Sequence, residues 1–329
     1  MTETVRIWVV TDARAGNLAQ ALGLAEAIGR HHPVEIEQRP VRLKPWAAQI
    51  PPALSSRMGM TAKGWPFSGI ADRGANLTPP WPDLVIGAGR RVAVIVAALR
   101  KIVGMKAVQL LDPQMRARAF DAVVVPSHDR LTGENVLVTT GALNGLTREE
   151  IAGDAAFLTQ FEDLPKPRCA VLIGGPSRSN RFGAEDEAAI VAALTALEPD
   201  HGLMITPSRR TPETLLRSLP NIGPNAWVWD GSHVNPYPGM LHYADAVLVT
   251  ADSVNMTSEA AATGLPVHVL PVTGLAAKIE RFQAAMAERG ITRPFTGTLQ
   301  QWSYDPLAEA DRIAAELIKR GIVAPRMQG

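Results

Sequence analysis

One short stretch of the chain has the residue types and order that hold an anion. Thr250-Ala-Asp-Ser-Val-Asn-Met-Thr-Ser-Glu follows an apolar run and leads into a helical pattern that stops at Thr263-Gly-Leu-Pro. A strand ending at Thr250 and a helix beginning near Asn255 leave the first N–H groups of the helix free; with the helix dipole they attract phosphate. Ser253, Asn255, Thr257 and Ser258, with Met256 among them, add hydroxyl and amide donors for a diphosphate. Glu259, one turn further in, could accept hydrogen bonds from two ribose hydroxyls. The glycine and proline that follow form a C-cap. The plainer reading is that these polar residues only cap the helix.

Other glycine-rich or polar segments also follow apolar runs. Gly174-Gly-Pro-Ser-Arg-Ser-Asn is a second candidate phosphate loop, with Gly174, Gly175 and Ser177 as the donor-binding residues. Arg209 and Arg210 could bring positive charge to the same cleft, and Trp229, followed by Asp230, offers a ring for stacking on a base. Near the start, Thr11-Asp-Ala-Arg-Ala-Gly-Asn-Leu-Ala-Gln reads as strand, loop and helix start, with Gly16 allowing close backbone approach. Asp12 is placed to act as a general base or merely to bond loop amides. His128-Asp129 is a second acid–base candidate.

Several other chemistries find no support. Gly87-Ala-Gly-Arg-Arg-Val lacks the third glycine of a dinucleotide fingerprint, and neither a Walker Gly-Lys-Ser/Thr nor a Gly-x-Ser-x-Gly elbow occurs. No Asp-x-Asp pair or His/Cys cluster calls for a metal, so no metal and no cofactor are expected. The single cysteine, Cys169, begins an apolar run and reads as a small core residue. Net charge is +1, which gives no global sign of a nucleic-acid partner.

These segments need a scaffold, and the apolar runs supply it. Runs at 5–11, 84–86, 107–111, 122–125 and 136–139 alternate with helical patterns such as 18–28, the signature of a parallel sheet covered on both faces. Thr147 and Glu150 read as a capping box at a helix start, Pro165-Lys-Pro-Arg reads as a linker, and the rhythm then restarts. Strands are expected at 169–173, 203–206, 226–229, 246–250 and 267–270, with helices near 184–197, 211–219, 237–243, 255–263 and 275–289. An amphipathic helix over 306–320 carries Leu307, Ala310, Ile313, Ala314 and Leu317 on one face and could pack back on the first domain. At 329 residues two domains are expected, over 1–150 and 165–305 with 306–329 as a final helix: α/β, two Rossmann-like domains whose parallel sheets face an interdomain cleft. The N-terminus lacks the pattern of a signal peptide, and the longest apolar stretch, 92–99, is too short to span a bilayer. A cytoplasmic protein is expected.

Residues 39–77 fit neither repeat. They are rich in Pro, Trp and Met and carry Arg39, Arg42, Lys44, Arg57, Lys63 and Arg73 against Asp72 alone. They read either as an insertion folded onto its own domain or as a surface that meets anionic lipid at the inner face of the cytoplasmic membrane.

The segments Thr11-Asp-Ala-Arg-Ala-Gly-Asn-Leu-Ala-Gln, Ile86-Gly-Ala-Gly-Arg-Arg, Gln109-Leu-Leu-Asp-Pro, Val125-Pro-Ser-His-Asp, Asn135-Val-Leu-Val-Thr-Thr-Gly-Ala-Leu and Leu172-Ile-Gly-Gly-Pro-Ser resemble the bacterial branch of the ELM-type family. That family is named from plant proteins linked to mitochondrial fission. The stretch from Tyr243 to Pro266 is similar to the donor site of GT-B glycosyltransferases, the peptidoglycan N-acetylglucosaminyltransferase in particular. The resemblance implies a GT-B-like fold, a nucleotide-sugar donor with its ribose on Glu259 and its diphosphate on residues 253–258, and a loop with Arg14, Gly16 and Asn17 facing the acceptor. That enzyme's Gly-Gly-x-Gly-Gly-His loop is missing here, and Val272-Thr-Gly stands where it has a Gln-Gln pair. The resemblance therefore carries over neither a catalytic base nor a sugar contact. The expected activity is a metal-independent glycosyltransferase acting on a lipid-linked or envelope glycan. The alternatives are a UDP-sugar 2-epimerase and a non-catalytic interaction protein on the same fold.

Overall fold

The computed structural model describes residues 3–12, 14–71, 77–146, 151, 159–232 and 234–324. The capping box expected at Thr147 and Glu150 lies outside them, as do Asp72 and Arg73. The chain forms two compact units, one of Met1–Gly145 with Ala308–Gly329, the other of Leu146–Leu307.

In the first unit the apolar runs become β1 (Val5–Thr11), β3 (Leu84–Ala88), β4 (Lys106–Leu110), β5 (Ala122–Pro126) and β6 (Val136–Thr139). A further strand, β2 (Val34–Pro40), completes a six-stranded sheet of order β2-β1-β3-β4-β5-β6. Every pairing in it is parallel. One face packs on the helix Ala15–Gly29 and on the last helix, Glu309–Lys319, which contributes Ala310, Ile313, Ala314 and Leu317 to the core. The other face packs on the helix Ala93–Val103. The last helix is also held by polar contacts. The buried Glu309 carboxylate accepts the Thr140 N–H at 3.2 Å and pairs with Arg312 at 2.6 Å, while Arg30 meets Asp311 at 2.8 Å.

The second unit repeats the plan with β7 (Arg168–Ile173), β8 (Gly202–Pro207), β9 (Ala226–Val228), β10 (Ala246–Thr250), β11 (Val267–Leu270) and β12 (Thr292–Pro294). Their order is β12-β11-β10-β7-β8-β9, again parallel throughout. Helices over Ala184–Leu197, Glu213–Ser218, Tyr237–Tyr243, Val254–Ala261 and Ala277–Glu288 join the strands. Separate apolar clusters form on the two faces, one holding Cys169, Val171 and Leu203, the other Leu172, Met204 and Val247.

Three expectations are corrected. The first helix begins at Ala15 rather than 18, so Gly16 and Asn17 belong to its first turn instead of a loop. The last helix begins at Glu309 rather than 306. Segment 39–77 opens inside β2, and its next residues fold onto their own unit. The Lys44 N–H donates to the Gly69 carbonyl at 2.8 Å, the Trp65 indole donates to the Ser55 carbonyl at 3.0 Å, and Val41, Ala47 and Ile70 are buried. Trp46, Leu54 and Met58 nevertheless stay exposed, at 50%, 56% and 40%.

Candidate functional site

A parallel sheet presents its loops at the carboxyl ends of its strands, and ligands bind where the strand order reverses. In the second sheet β8 and β9 lie to one side of β7, and β10, β11 and β12 to the other. The reversal is therefore between β7 and β10. The turn beginning at Gly174 follows β7, and the segment beginning at Ala251 follows β10, so the two candidate phosphate loops are neighbours.

They are joined by a buried carboxylate. Asp252 accepts hydrogen bonds from the Gly175 N–H at 3.1 Å, the Thr250 hydroxyl at 2.7 Å and the Arg210 guanidinium at 2.9 Å. The Thr250 hydroxyl in turn accepts the Gly174 N–H at 2.8 Å. Arg210 also donates to the Gly175 carbonyl, and the Thr211 hydroxyl donates to the Gly174 carbonyl at 2.7 Å. Both glycines are required by space: a Cβ at Gly174 would collide with the Asp252 carboxylate, and one at Gly175 with the Arg210 backbone. Ser177 sits at the outer end of this turn, bonded to Asn180, whose side-chain amide donates to the Gly175 carbonyl at 3.1 Å.

The helix Val254–Ala261 starts beside this floor. Ser253 is its N-cap, accepting the Met256 N–H on its hydroxyl at 3.3 Å and the Thr257 N–H on its carbonyl at 3.1 Å. Asn255 is half-buried in the first turn. Thr257 and Ser258 are fully buried; the Ser258 hydroxyl donates back to the Val254 carbonyl at 2.7 Å, and the Thr257 oxygen has no hydrogen-bond partner.

Glu259 has a perturbed carboxyl group. Its residue surface is half-buried, but the carboxyl group is enclosed, and burial pushes its pKa up to about 7 while an interaction with Tyr237 lowers it. The Tyr237 hydroxyl is buried without a hydrogen bond of normal geometry, and the Glu259 carboxyl is the neighbour it interacts with. Burial and that carboxylate push the phenol well above its ordinary range. Asn235, just before, donates to the Thr206 hydroxyl at 2.9 Å and keeps a buried carbonyl oxygen with no partner.

Arg209 follows β8 and Trp229 follows β9. They line a cavity of about 690 Å³ with Pro207, Val228 and Asp230. Arg209 is exposed and Trp229 half-buried, so a ring entering here would find both an aromatic face and a cation. Arg210, the other arginine of the pair, is instead committed to Asp252.

In the first sheet the strand order reverses between β1 and β3. Asp12 lies at that point, accepting from the Asn17 side chain at 2.9 Å and paired with Arg14 at 3.3 Å. The Asn17 amide packs so closely on Gly89, at φ +91°, that a Cβ there would lie 2.5 Å from its nitrogen. His128 is buried in the turn after β5, 3.8 Å from Asp129. Three strand spacings separate β1 from β5, roughly 14 Å, so Asp12 and His128 do not form one acid–base pair. Among the described residues no group of three His, Cys, Asp or Glu could hold a metal ion, and no helix is long and apolar enough to cross a membrane.

Sequence reasoning missed Asp252, Tyr237 and Asn235 as site residues. Asp252 stood within the singled-out segment, and a carboxylate between a strand end and an N-cap was the available signal. Nothing in the spacing linked Tyr237 to Glu259.

Comparison with known proteins agrees with this architecture. The family described as Mitochondrial fission ELM1 matches residues 15–321. The mitochondrial fission protein ELM1 of Arabidopsis thaliana is 34% identical over 277 residues, covering 73% of this chain and 65% of its own length, so the chain spans just under two thirds of that relative. Among solved structures, the UDP-GlcNAc 2-epimerase from Methanocaldococcus jannaschii aligns with a TM-score of 0.55 at 12% identity, covering 95% of this chain and 99% of that one. The glycosyltransferase of kitacinnamycin aligns with a TM-score of 0.54 at 14% identity, covering 97% and 91%. The fold is that of GT-B glycosyltransferases and UDP-GlcNAc 2-epimerases.

Proposed function

The chain belongs to the mitochondrial fission ELM1 family, and on that premise we propose that it is a glycosyltransferase using a nucleotide-sugar donor bound at the reversal between β7 and β10. The observation that carries the reading is the pairing of two features at one reversal: a glycine floor locked by Asp252 and Arg210, and a helix whose N-cap opens beside it.

In this reading the diphosphate lies over Gly174, Gly175 and Ser177 and against the first turn at Ser253, Asn255 and Met256, where backbone dipoles stabilise negative charge. Arg209 offsets the charge that develops on the leaving diphosphate, Trp229 stacks on the base, and ionised Glu259 accepts from the ribose hydroxyls. Thr257 and Ser258 shape the helix without reaching the ligand. An acceptor hydroxyl forms the new glycosidic bond as the nucleoside diphosphate departs, and its proton passes to a base. Asp12 is the first candidate for that base and His128 the second, with Arg14, Gly16 and Asn17 on the acceptor side. The acceptor is a glycan or a lipid-linked glycan. Exposed Trp46, Leu54 and Met58 favour a peripheral contact of segment 39–77 with anionic lipid at the cytoplasmic face.

The test is thermal unfolding with UDP-, GDP- and ADP-sugars, for the wild type and Glu259→Ala. A bound sugar at a hundred times its Kd adds about 2.7 kcal/mol. A shift for one nucleotide series, lost in the variant, supports the donor site; no shift with any of them sinks the enzymatic reading. Product analysis then separates the reactions: transfer or slow hydrolysis supports the transferase, and an epimerised sugar replaces it with the 2-epimerase.

A further inference from the structure

The first unit carries a second cavity that the nucleotide-sugar reading does not use. It has a volume of about 880 Å³ and opens between the chain around Arg57, the helix Ala93–Val103 and the loop after β4. Its walls bear five cations, Arg57, Arg100, Lys101, Arg116 and Arg118, against one acid, Asp112. Arg100 is already matched, bonded to Asp121 at 2.8 Å. Asp112 is turned back onto its own loop, accepting the Gln114 N–H at 2.8 Å. Among the described residues Arg57, Lys101, Arg116 and Arg118 have no carboxylate partner, so four positive charges converge uncompensated on one concavity.

Apolar side chains make up most of the rest of the lining, Met60, Met115 and Leu131, each half-buried, with Ala53, Ala97 and Ala119, beside the polar Ser56 and Gln114. Cations beside a methionine-lined trough suit a ligand with an anionic head and a hydrocarbon tail, and methionine adapts readily to an unshaped chain. The loop that forms one wall is held under backbone strain, with Leu111 at φ 65° and Gln114 at φ 52°, left-handed conformations that side-chain-bearing residues adopt at a cost.

We propose that this cavity binds a phosphate-headed amphiphile, the phosphate on Lys101, Arg116 and Arg118 and the tail along Met60, Met115 and Leu131. The proposal stands apart from the donor-site reading, since all these residues belong to the first unit and none belongs to the donor site.

Calorimetric titration of the full chain with monomeric dodecyl phosphate, inorganic phosphate and dodecyl maltoside tests it. Dodecyl phosphate is expected to bind saturably at one site and at least tenfold tighter than inorganic phosphate. Arg116→Glu or Arg118→Glu should weaken it roughly tenfold or more, while Arg116→Lys keeps most of the affinity and Arg289→Glu, exposed on the second unit and outside the cavity, leaves it unchanged. Equal affinity for inorganic phosphate would mean a free-anion site and overturn the amphiphile. Equal binding of dodecyl maltoside, or equal loss in Arg289→Glu, would remove the role of the cations. Thermal unfolding of each variant identifies any that fails to fold, in which case the Arg116→Lys and Lys101→Glu pair decides. Nucleotide-sugar shifts measured alongside remain those of the wild type.

Discussion

The Asp252 carboxylate and the Arg210 guanidinium lie 2.9 Å apart, the first fully buried and the second 40% exposed. The pair is asymmetric: only the anion depends on its partner for solvation. Arg210→Ala would strand a buried charge, and loss of one member of such a pair costs about 3–5 kcal/mol. Asp252→Ala removes the acceptor from Gly175, Thr250 and Arg210 together and should cost a similar amount. Urea unfolding measures both. A loss below about 1 kcal/mol for Arg210→Ala would mean that water, and not the arginine, solvates Asp252.

Glu259 gives stability a specific pH dependence. Its folded pKa, about 7, is above its ordinary 4.5, so between those values the native state holds a proton that the unfolded chain has released. Stability from this group is therefore full below about pH 4.5 and declines as pH rises through 7, by up to about 3 kcal/mol. Glu259→Gln should abolish that decline and unfold later than the wild type at pH 8. If both variants show the same pH slope from 5 to 8, the carboxyl is not held protonated.

The same group should report on ligand. A ribose diol donating to Glu259 favours the carboxylate and lowers its pKa. At pH 7 nucleotide binding is expected to release about half a proton per site, read as a difference in binding enthalpy between phosphate and Tris buffers. Identical enthalpies would place the ribose elsewhere.

Gly174→Ala should harm the donor site more than the fold. The added Cβ would press on the Asp252 carboxylate, and overpacking of this kind costs typically 1–3 kcal/mol. The expected result is a folded protein whose nucleotide-sugar shift is lost. A variant that keeps full binding would mean that the turn moves freely.

The last helix can be tested in the same way. Leu317 is fully buried against the helix Ala15–Gly29 and the first sheet. Leu317→Ala is expected to lower the stability of the first unit by about 2–5 kcal/mol, read as an earlier transition in a two-step melt.

The sequence was most legible where burial is continuous. β1, β3, β4, β5, β7, β8 and β10 are buried on both faces over most of their length, and their runs rich in Val, Ile and Leu reveal them. β2 and β12 escape because, unlike the edge strands β6 and β9, they offer no apolar run: Val34-Glu-Ile-Glu-Gln-Arg-Pro alternates, and Thr292-Arg-Pro is short and ends in proline. Within the site, Ser253 is readable because an N-cap is a local event between neighbours in sequence. The partnership of Tyr237 with Glu259 and that of Arg210 with Asp252 arise only when the strand order brings separate loops together. Local pattern therefore gave no way to choose Arg209 or Arg210 as the structural arginine.

The return of the chain to its first sheet has a consequence for synthesis. Ala310, Ile313, Ala314, Leu317, Ile322 and Val323 complete a core whose other buried members lie within the first 145 residues. As the chain leaves the ribosome from its N-terminus, that earlier half must wait with an apolar face uncovered until the final helix emerges. The later half, Leu146–Leu307, has all its strands in hand before then. The part made first is thus the part finished last, and a stop codon ahead of Glu309 would leave the oldest portion of the chain open to proteolysis and aggregation.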